Sequence, residues 1–391
     1  MKIVFWIALF IVFYTYIGYG ILLYIIIRLK RLFVGRPHEA VLPADDELPT
    51  MTLMICAYNE EDIVKEKMAN TLALDYPKDK FRTMWVTDGS NDHTNELLAA
   101  YPEVDIVFSP ERRGKTAALK HGLRELKTRY VAFTDANTMI NTGALREIAR
   151  LFSDPTVGCV SGEKRVAARK AGEMASEGEG LYWRYESTLK RWDSELYSAM
   201  GAAGELYAID PQLCREVPDE ALLDDFMLSM YVVQAGKRIA YTSDAYAREY
   251  GSANIYEESK RKRRIAAGGL QSIWWLRSML NPLRQPLVTF QYVSHRVLRW
   301  SITPVAMVLL LIVNIALVAM GAGTFYTVML ILQTLFYLMA LAGWLTNRFG
   351  YKNKLLYTAY YFVFMNFNVF RGMAYLRSHG KSGAWEKAKR S

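Results

Sequence analysis

The chain has 391 residues, 52% of them hydrophobic and 13% aromatic, with a formal charge of +9 and three cysteines. Its length suits one large domain with additions, and apolar residues concentrated at both ends mark a membrane protein with a soluble middle, which excludes a wholly soluble or disordered chain. The positive charge borders the apolar segments and so fits anionic lipid and an anionic substrate better than nucleic acid, while Cys56, Cys159 and Cys214 lack metal-ligand spacing and read as reduced core thiols.

In chain order, Ile3 to Ile27 carries no charge and is long enough to span a bilayer, with no small-residue cleavage site after it. Arg28, Lys30, Arg31 and Arg36 follow while only Lys2 precedes, which places residue 28 onward in the cytoplasm. Residues 1–28 are therefore expected to form a transmembrane helix and 29–49, with Pro37, Pro43 and Pro49, a linker. From 50 to 280 strands alternate with helices. Met51 to Cys56 reads as a strand running into Ala57-Tyr58-Asn59-Glu60-Glu61-Asp62, and a helix from about Ile63 to Leu74 follows. Thr83 to Thr87 is a second strand, ending in Asp88-Gly89-Ser90, and Val104 to Phe108 is a third, leading to Arg112-Arg113-Gly114-Lys115 and a helix from near Thr116. Tyr130 to Phe133 is a fourth, ending at Thr134-Asp135-Ala136-Asn137. This alternation predicts an α/β fold with a mostly parallel sheet and helices on both faces.

Four polar clusters fall at or just beyond strand carboxyl ends, and in a parallel sheet those ends share one crevice. Their chemistry suits a nucleoside diphosphate: Tyr58 to stack on a base, Asp88 to accept from base or ribose, Gly114 to admit a phosphate and Lys115 to neutralise it. Asp135 and Asn137 offer oxygen ligands to Mg²⁺ or Mn²⁺. Taken singly, each has another reading: Tyr58 as a surface aromatic, Lys115 as a solvated cation, Asp135 and Asn137 as a turn. The glycine spacing of a Walker loop is absent.

Beyond the sheet, Gly201-Ala202-Ala203-Gly204 precedes a short strand, Leu206 to Ile209, and could let backbone approach a ligand. Asp224 and Asp225 open a helix. Two adjacent carboxylates repel, and a desolvated one has its pKa raised towards a general base, although acids at a helix start also serve the dipole alone. Arg261-Lys262-Arg263-Arg264 is a dense cationic run, and Trp274 and Trp275 could stack on a sugar or anchor at lipid level. Residues 281–300 read as an interfacial helix in which His295 is structural. Residues 301–346 hold two further spans, Ser301 to Met320 and Phe325 to Leu345. Residues 347–391 hold a third hydrophobic segment, Leu355 to Leu376, followed by a basic cytosolic tail. Because that segment contains Asn366, Asn368 and Arg371, an interfacial or re-entrant helix is preferred to a span.

The ordered set AYNEED, TDGSNDHT, RRGKTAAL and FTDANT resembles the membrane-bound family-2 glycosyltransferases of GT-A fold, the group that includes cellulose, hyaluronan and poly-N-acetylglucosamine synthases. The resemblance covers about residues 50 to 275. It implies inverting transfer from a nucleotide sugar, usually UDP-linked, with a divalent cation on the diphosphate. It assigns Tyr58, Glu60 and Asp88 to the nucleoside, Lys115 to the phosphates, and Asp135 and Asn137 to the metal, with Asn137 standing where the family has a second Asp. Asp225 is implied as catalytic base with Asp224 as its partner, and Gly201 to Gly204 as the acceptor loop. Arg261 and Arg264 occupy the charged places of a Gln/Arg-x-x-Arg-Trp motif whose tryptophan is Ile265 here. The expectation is an integral inner or plasma membrane enzyme, catalytic domain cytoplasmic, that extends a polysaccharide, together with export subunits. Alternatives are single addition to a lipid-linked acceptor and a catalytically silent nucleotide-sugar-binding scaffold. Trp385 to Arg390 resembles a cytosolic tail motif of the group.

Overall fold

The computed structural model of the protein describes residues 1–35, 40–167, 174–250, 255–349, 351 and 353–379. Arg36 and Pro37 of the linker, Lys352, and the basic tail with Lys381 and Trp385 to Arg390 lie outside the described residues.

Helix α1 (Lys2–Val34) is long and apolar enough to cross a membrane. The soluble part contains strands β1 (Met51–Ala57), β2 (Phe81–Asp88), β3 (Val104–Ser109), β4 (Tyr130–Asp135), β5 (Met139–Ile140), β6 (Val157–Ala167), β7 (Leu206–Ile209) and β8 (Arg238–Tyr250). Its helices are α2 (Val64–Leu72), α3 (Thr94–Leu98), α4 (Lys115–Arg124), α5 (Ala144–Phe152), α6 (Met174–Leu196), α7 (Asp224–Gln234) and α8 (Ile255–Trp275). Then come α9 (Pro286–Ala319), α10 (Thr324–Arg348) and α11 (Lys354–His379).

One eight-stranded sheet has the order β3-β2-β1-β4-β7-β6-β8-β5. The four strands expected from the apolar runs, β1 to β4, are parallel neighbours. The other half makes the sheet mixed: β7 runs antiparallel to β4 and β6, and β5 antiparallel to β8. Alternate residues feed two cores. Met54, Val86, Phe133 and Tyr207 face one side, and Leu53, Ile55, Trp85, Ala132 and Leu206 the other, as the two-residue period of a strand buried on both faces requires. All three cysteines are free, and burial pushes the thiols of Cys56 and Cys214 up to about 12.

The segment 281–300 is not a separate interfacial helix. Residues 286–300 form the first half of the continuous α9, π-helical over Val293–Ile302, while 281–285 precede it. His295, Arg296 and Arg299 are buried there because partners meet them, as shown below. Helices α1 and α9 pack side by side through Phe5, Ala8, Leu310, Val313 and Leu317, with Tyr326 of α10. Thr15 and Thr303 share a hydrogen bond of 2.8 Å at the other end of that contact, so the two helices are antiparallel. At the soluble end of α1, Arg31 holds Glu195 with two bonds of 2.6 Å, and Lys30 donates to the carbonyls of Glu195 and Leu196. Helix α11 is not among the three helices apolar enough to span. It is a continuous helix, with Leu356 and Phe362 against Gly343 and Phe336 of α10 and Gly372 against Ala266 and Ala267 of α8.

Candidate active site

Three loops at the carboxyl ends of β1, β2 and β3 are tied together. Asn59 has φ 52°, which a short polar side chain tolerates best. Its amide side chain exchanges bonds of 2.7 and 3.0 Å with Asn91, and its backbone N–H donates to Ser90. Gly89 has φ 69°, and a Cβ there would lie 2.6 Å from the backbone nitrogen of Arg112, so only glycine lets the second and third loops touch. Asp88 completes the lock. Its carboxylate accepts from the N–H of Arg113 at 2.9 and 3.1 Å and from Gly114 at 2.6 Å. The carboxylate expected to meet a base or ribose is thus engaged in shaping the Arg112 to Lys115 loop, and it is 5% exposed. Arg112 covers the ring of Tyr58 with its guanidinium 4.0 Å from the centroid.

At the end of β4, Lys115 from the start of α4 donates to Asp135 at 2.7 Å. Burial pulls the Lys115 amine down, but Asp135, Asp224 and Asp225 outweigh it and hold it well above the ordinary lysine range. Behind the turn, fully buried Lys67 donates to the Thr138 carbonyl at 2.5 Å and lies 3.3 Å from Thr134 Oγ1. Burial pulls its amine down to about 7 against the opposing Asp135. No motif signalled Lys67, because α2 read as an ordinary amphipathic helix.

Asp135 and Asn137 lie one residue apart at the cavity wall. Among the described residues no group of three or more His, Cys, Asp and Glu side chains gathers. One carboxylate and one amide oxygen nevertheless fit Mg²⁺ or Mn²⁺, which take their remaining ligands from diphosphate and water. Here Asp135 is paired with the Lys115 ammonium at 2.7 Å.

Asp224 and Asp225 open α7. Asp225 accepts from the N–H of Phe226 at 2.8 Å. Burial, then Asp224, push its carboxyl up to about 6, against the pull of Lys115 and the Phe226 amide. Asp224 Oδ2 is buried with no partner among the described residues. A Cβ on Gly204 would sit 2.9 Å from Asp225 Oδ2, so glycine there clears the approach to the carboxylate.

One cavity of about 1230 Å³ gathers Tyr58, Glu60, Asp88, Lys115, Asp135, Asn137, Gly204, Asp224, Asp225, Arg261 and Arg264. Gly201 is the exception among the expected site residues. It is not at the cavity wall, and the close approach it permits is to the Phe226 ring, 2.3 Å from where its Cβ would be. Arg261 faces Glu205 at 3.6 Å and Glu258 at 3.8 Å. Neither Trp274 nor Trp275 reaches the cavity. Trp274 is 68% exposed, and the tryptophans in the wall are Trp183 and Trp300, beside Ile265. Sequence reasoning also missed Glu186, Lys190, Arg296 and Arg299, which line the same wall.

Residues 52–209 match the family Glycosyl transferase family 2. Over 125 residues the chain is 35% identical to poly-beta-1,6-N-acetyl-D-glucosamine synthase of Staphylococcus aureus, covering 31% of this chain and 30% of that protein. Over 259 residues it is 25% identical to beta-monoglucosyldiacylglycerol synthase of Synechocystis sp., covering 62% of this chain and 53% of that protein. The matches thus span about a third to a half of these relatives' lengths. A mannosyltransferase from Pyrobaculum calidifontis, solved in complex with GDP-Man and Mn²⁺, superposes with a TM-score of 0.69 at 21% identity, over 96% of this chain and 99% of that one. The likeness to it is one of fold, and the fold is GT-A-like.

Proposed function

From a chain whose residues 52–209 form a family-2 glycosyl transferase domain, we propose a membrane-bound enzyme that transfers a sugar from a nucleoside diphosphate sugar, UDP-linked by its motifs, to an acceptor hydroxyl. One observation carries the reading. A carboxylate with its pKa raised to about 6, Asp225, opens into the same cavity as the ion pair of Lys115 and Asp135.

The acceptor oxygen attacks the anomeric carbon as the bond to the diphosphate oxygen breaks, and Asp225 takes the hydroxyl proton. Attack opposite the leaving group inverts the anomeric centre. Tyr58 and Glu60 flank the nucleoside, while Asp88 holds the Arg113 and Gly114 amides that shape the phosphate loop. Lys115, freed from Asp135, meets the negative charge that develops on the diphosphate, and Arg264 lines the same cavity. Asp135 and Asn137 would hold a Mg²⁺ or Mn²⁺, which would supply further charge neutralisation there.

Asp224, unpartnered beside Asp225, keeps the base's pKa high. The acceptor is read as a growing glycan, as the relation to poly-N-acetylglucosamine synthase supports, and the domain as cytoplasmic, as the cations after α1 support. The intact Asp224-Asp225 pair disfavours a silent scaffold. Purified full-length protein incubated with labelled nucleotide sugars, with and without Mn²⁺, is expected to release nucleoside diphosphate in step with sugar transfer. Nucleotide binding without turnover on any donor would leave only the scaffold reading.

A further inference from the structure

The part of the cavity contributed by the last helix has a different character from the donor side. Helix α11 turns one stripe into it: Thr358, Tyr361, Phe362, Met365, Asn366 and Val369. They follow the i, i+3, i+4, i+7, i+8, i+11 spacing of a single helical face, which runs about 16 Å. Phe362, Met365 and Val369 offer that stretch nothing to hydrogen-bond. Tyr16 of α1 closes on the same face, its ring 4.6 Å from Phe362 and its hydroxyl donating to Asn366 at 2.6 Å. Tyr16 comes from the π-helical turn Tyr14–Gly18, and π turns recur where a helix must aim an extra side chain at a site. This arm therefore lies against α10, one of the helices long and apolar enough to cross a membrane.

The second observation is Lys190. Helix α6 buries three ionisable side chains along one face, Glu186, Lys190 and Asp193, at i, i+4 and i+7. The two acids are fully engaged: Glu186 by Arg296 at 2.6 Å and Arg299 at 2.8 Å, Asp193 by His295 at 2.5 Å and by Tyr19. Lys190 is 5% exposed, lines the cavity, and makes no hydrogen bond or ion pair among the described residues. Burial and then Arg296 lower its pKa, opposed by Glu186, Glu205 and Asp225. A buried ammonium that makes no hydrogen bond or ion pair is costly, and an arriving anion lowers that cost.

We propose that this arm seats an amphiphilic phosphate, its phosphate on Lys190 and its apolar tail along the α11 stripe, so that the glycan presented to Asp225 is one carried on a lipid phosphate. The proposal rests on the reading of Asp225 as the base that faces the acceptor. A free phosphate shares the headgroup chemistry but leaves the Phe362 to Val369 stretch unfilled.

The test uses full-length protein in phosphatidylcholine nanodiscs, with tryptophan fluorescence of the wild type, which contains Trp183 and Trp300 in the cavity wall, reporting binding. Tetradecyl phosphate is titrated against inorganic phosphate and tetradecanol, and UDP and GDP are titrated in parallel. Tetradecyl phosphate is expected to bind at least about tenfold tighter than either control, the scale of one charge-assisted hydrogen bond. Lys190→Met and Val369→Trp should each weaken it by about tenfold or more, Lys190→Arg should retain it, and all three should bind nucleotide as the wild type does. Equal affinity for inorganic phosphate would overturn the lipid assignment. Unchanged binding of tetradecyl phosphate by Lys190→Met, or equal binding of tetradecanol, would overturn the phosphate seat. Failure of the wild type to bind either nucleotide would strike the donor reading and leave the tetradecyl phosphate result to be judged by itself.

Discussion

At the scale of single residues, the proposed role of Asp225 as base ties both rate and stability to its ionisation. A base must be deprotonated to accept a proton, and this carboxyl has a pKa of about 6. Activity is therefore expected to be flat above about pH 7 and to fall about tenfold per unit below 6, read from a pH profile of kcat/KM. Asp225→Asn should lower kcat by about 10² to 10⁴ with nucleotide binding intact, and near-normal turnover would remove Asp225 from the mechanism. The same shift carries a stability cost. A carboxyl whose folded pKa is raised is held ionised at neutral pH against its surroundings, so the cost is full above the folded pKa, declines as pH falls through it and is gone below the ordinary carboxylate range. The Asn variant should accordingly be more stable than wild type at pH 8 by about 1 to 3 kcal/mol, read from thermal unfolding, and the gain should shrink towards pH 5. Asn137 lends itself to the opposite manipulation. Replacing it with Asp adds a second carboxylate beside Asp135 and should lower the Mn²⁺ concentration for half-maximal activity by about tenfold. An unchanged metal titration would take Asn137 out of the cation site.

At the scale of elements, the parallel half of the sheet was legible because its strands are short apolar runs that end in polar clusters. The residues at those ends, from Tyr58 to Asn137, share the cavity as the crevice rule requires. The antiparallel half was illegible for a physical reason. Strands β6 and β8 carry Glu163, Arg165, Asp244 and Arg248, which cut their apolar stretches short, and the two are held by each other's backbone through nine paired residues, from Val157 with Arg238 to Ala167 with Tyr250. Helix α6 was hidden for a related reason. Its Glu186, Lys190 and Asp193 look like a solvated face, and only the fold reveals that Arg296, His295 and Arg299 of α9 meet it. The second loop yields the prediction at this scale. Gly89→Ala adds a Cβ 2.6 Å from the Arg112 nitrogen at φ 69°, which should cost about 1 to 3 kcal/mol. It should also weaken nucleotide binding, because the loop displaced is the one that Asp88 shapes. Thermal unfolding and nucleotide titration of that variant check both parts.

At the scale of the whole molecule, buried charge joins the catalytic domain to the membrane helices. Tyr19 of α1, Glu186 and Asp193 of α6, and His295, Arg296 and Arg299 of α9 form one buried network. Removing one partner strands the others, so Glu186→Gln should cost about 3 to 5 kcal/mol. Arg82→Gln at the exposed pair with Asp105 should cost under about 1 kcal/mol, and equal effects in thermal unfolding would deny the network its role. The network, together with Arg31 on Glu195, also places the basic end of α1 against the domain. The loop between α9 and α10, Gly321 to Gly323, carries no charge and lies with the Lys2 end of α1 at the far end of the bundle. The charge rule then puts Thr324 outside and Lys78, in the turn before β2, inside. Cysteine labelling can read this directly, because the native thiols are buried or partly buried and Cys56, Cys159 and Cys214 all have pKa values raised by burial, which keeps their thiolate fraction and background reaction low. Thr324→Cys should react with a membrane-impermeant maleimide in sealed right-side-out vesicles, and Lys78→Cys only after permeabilisation. The reverse pattern would put the donor site on the side of the membrane opposite to the one the charges of α1 dictate.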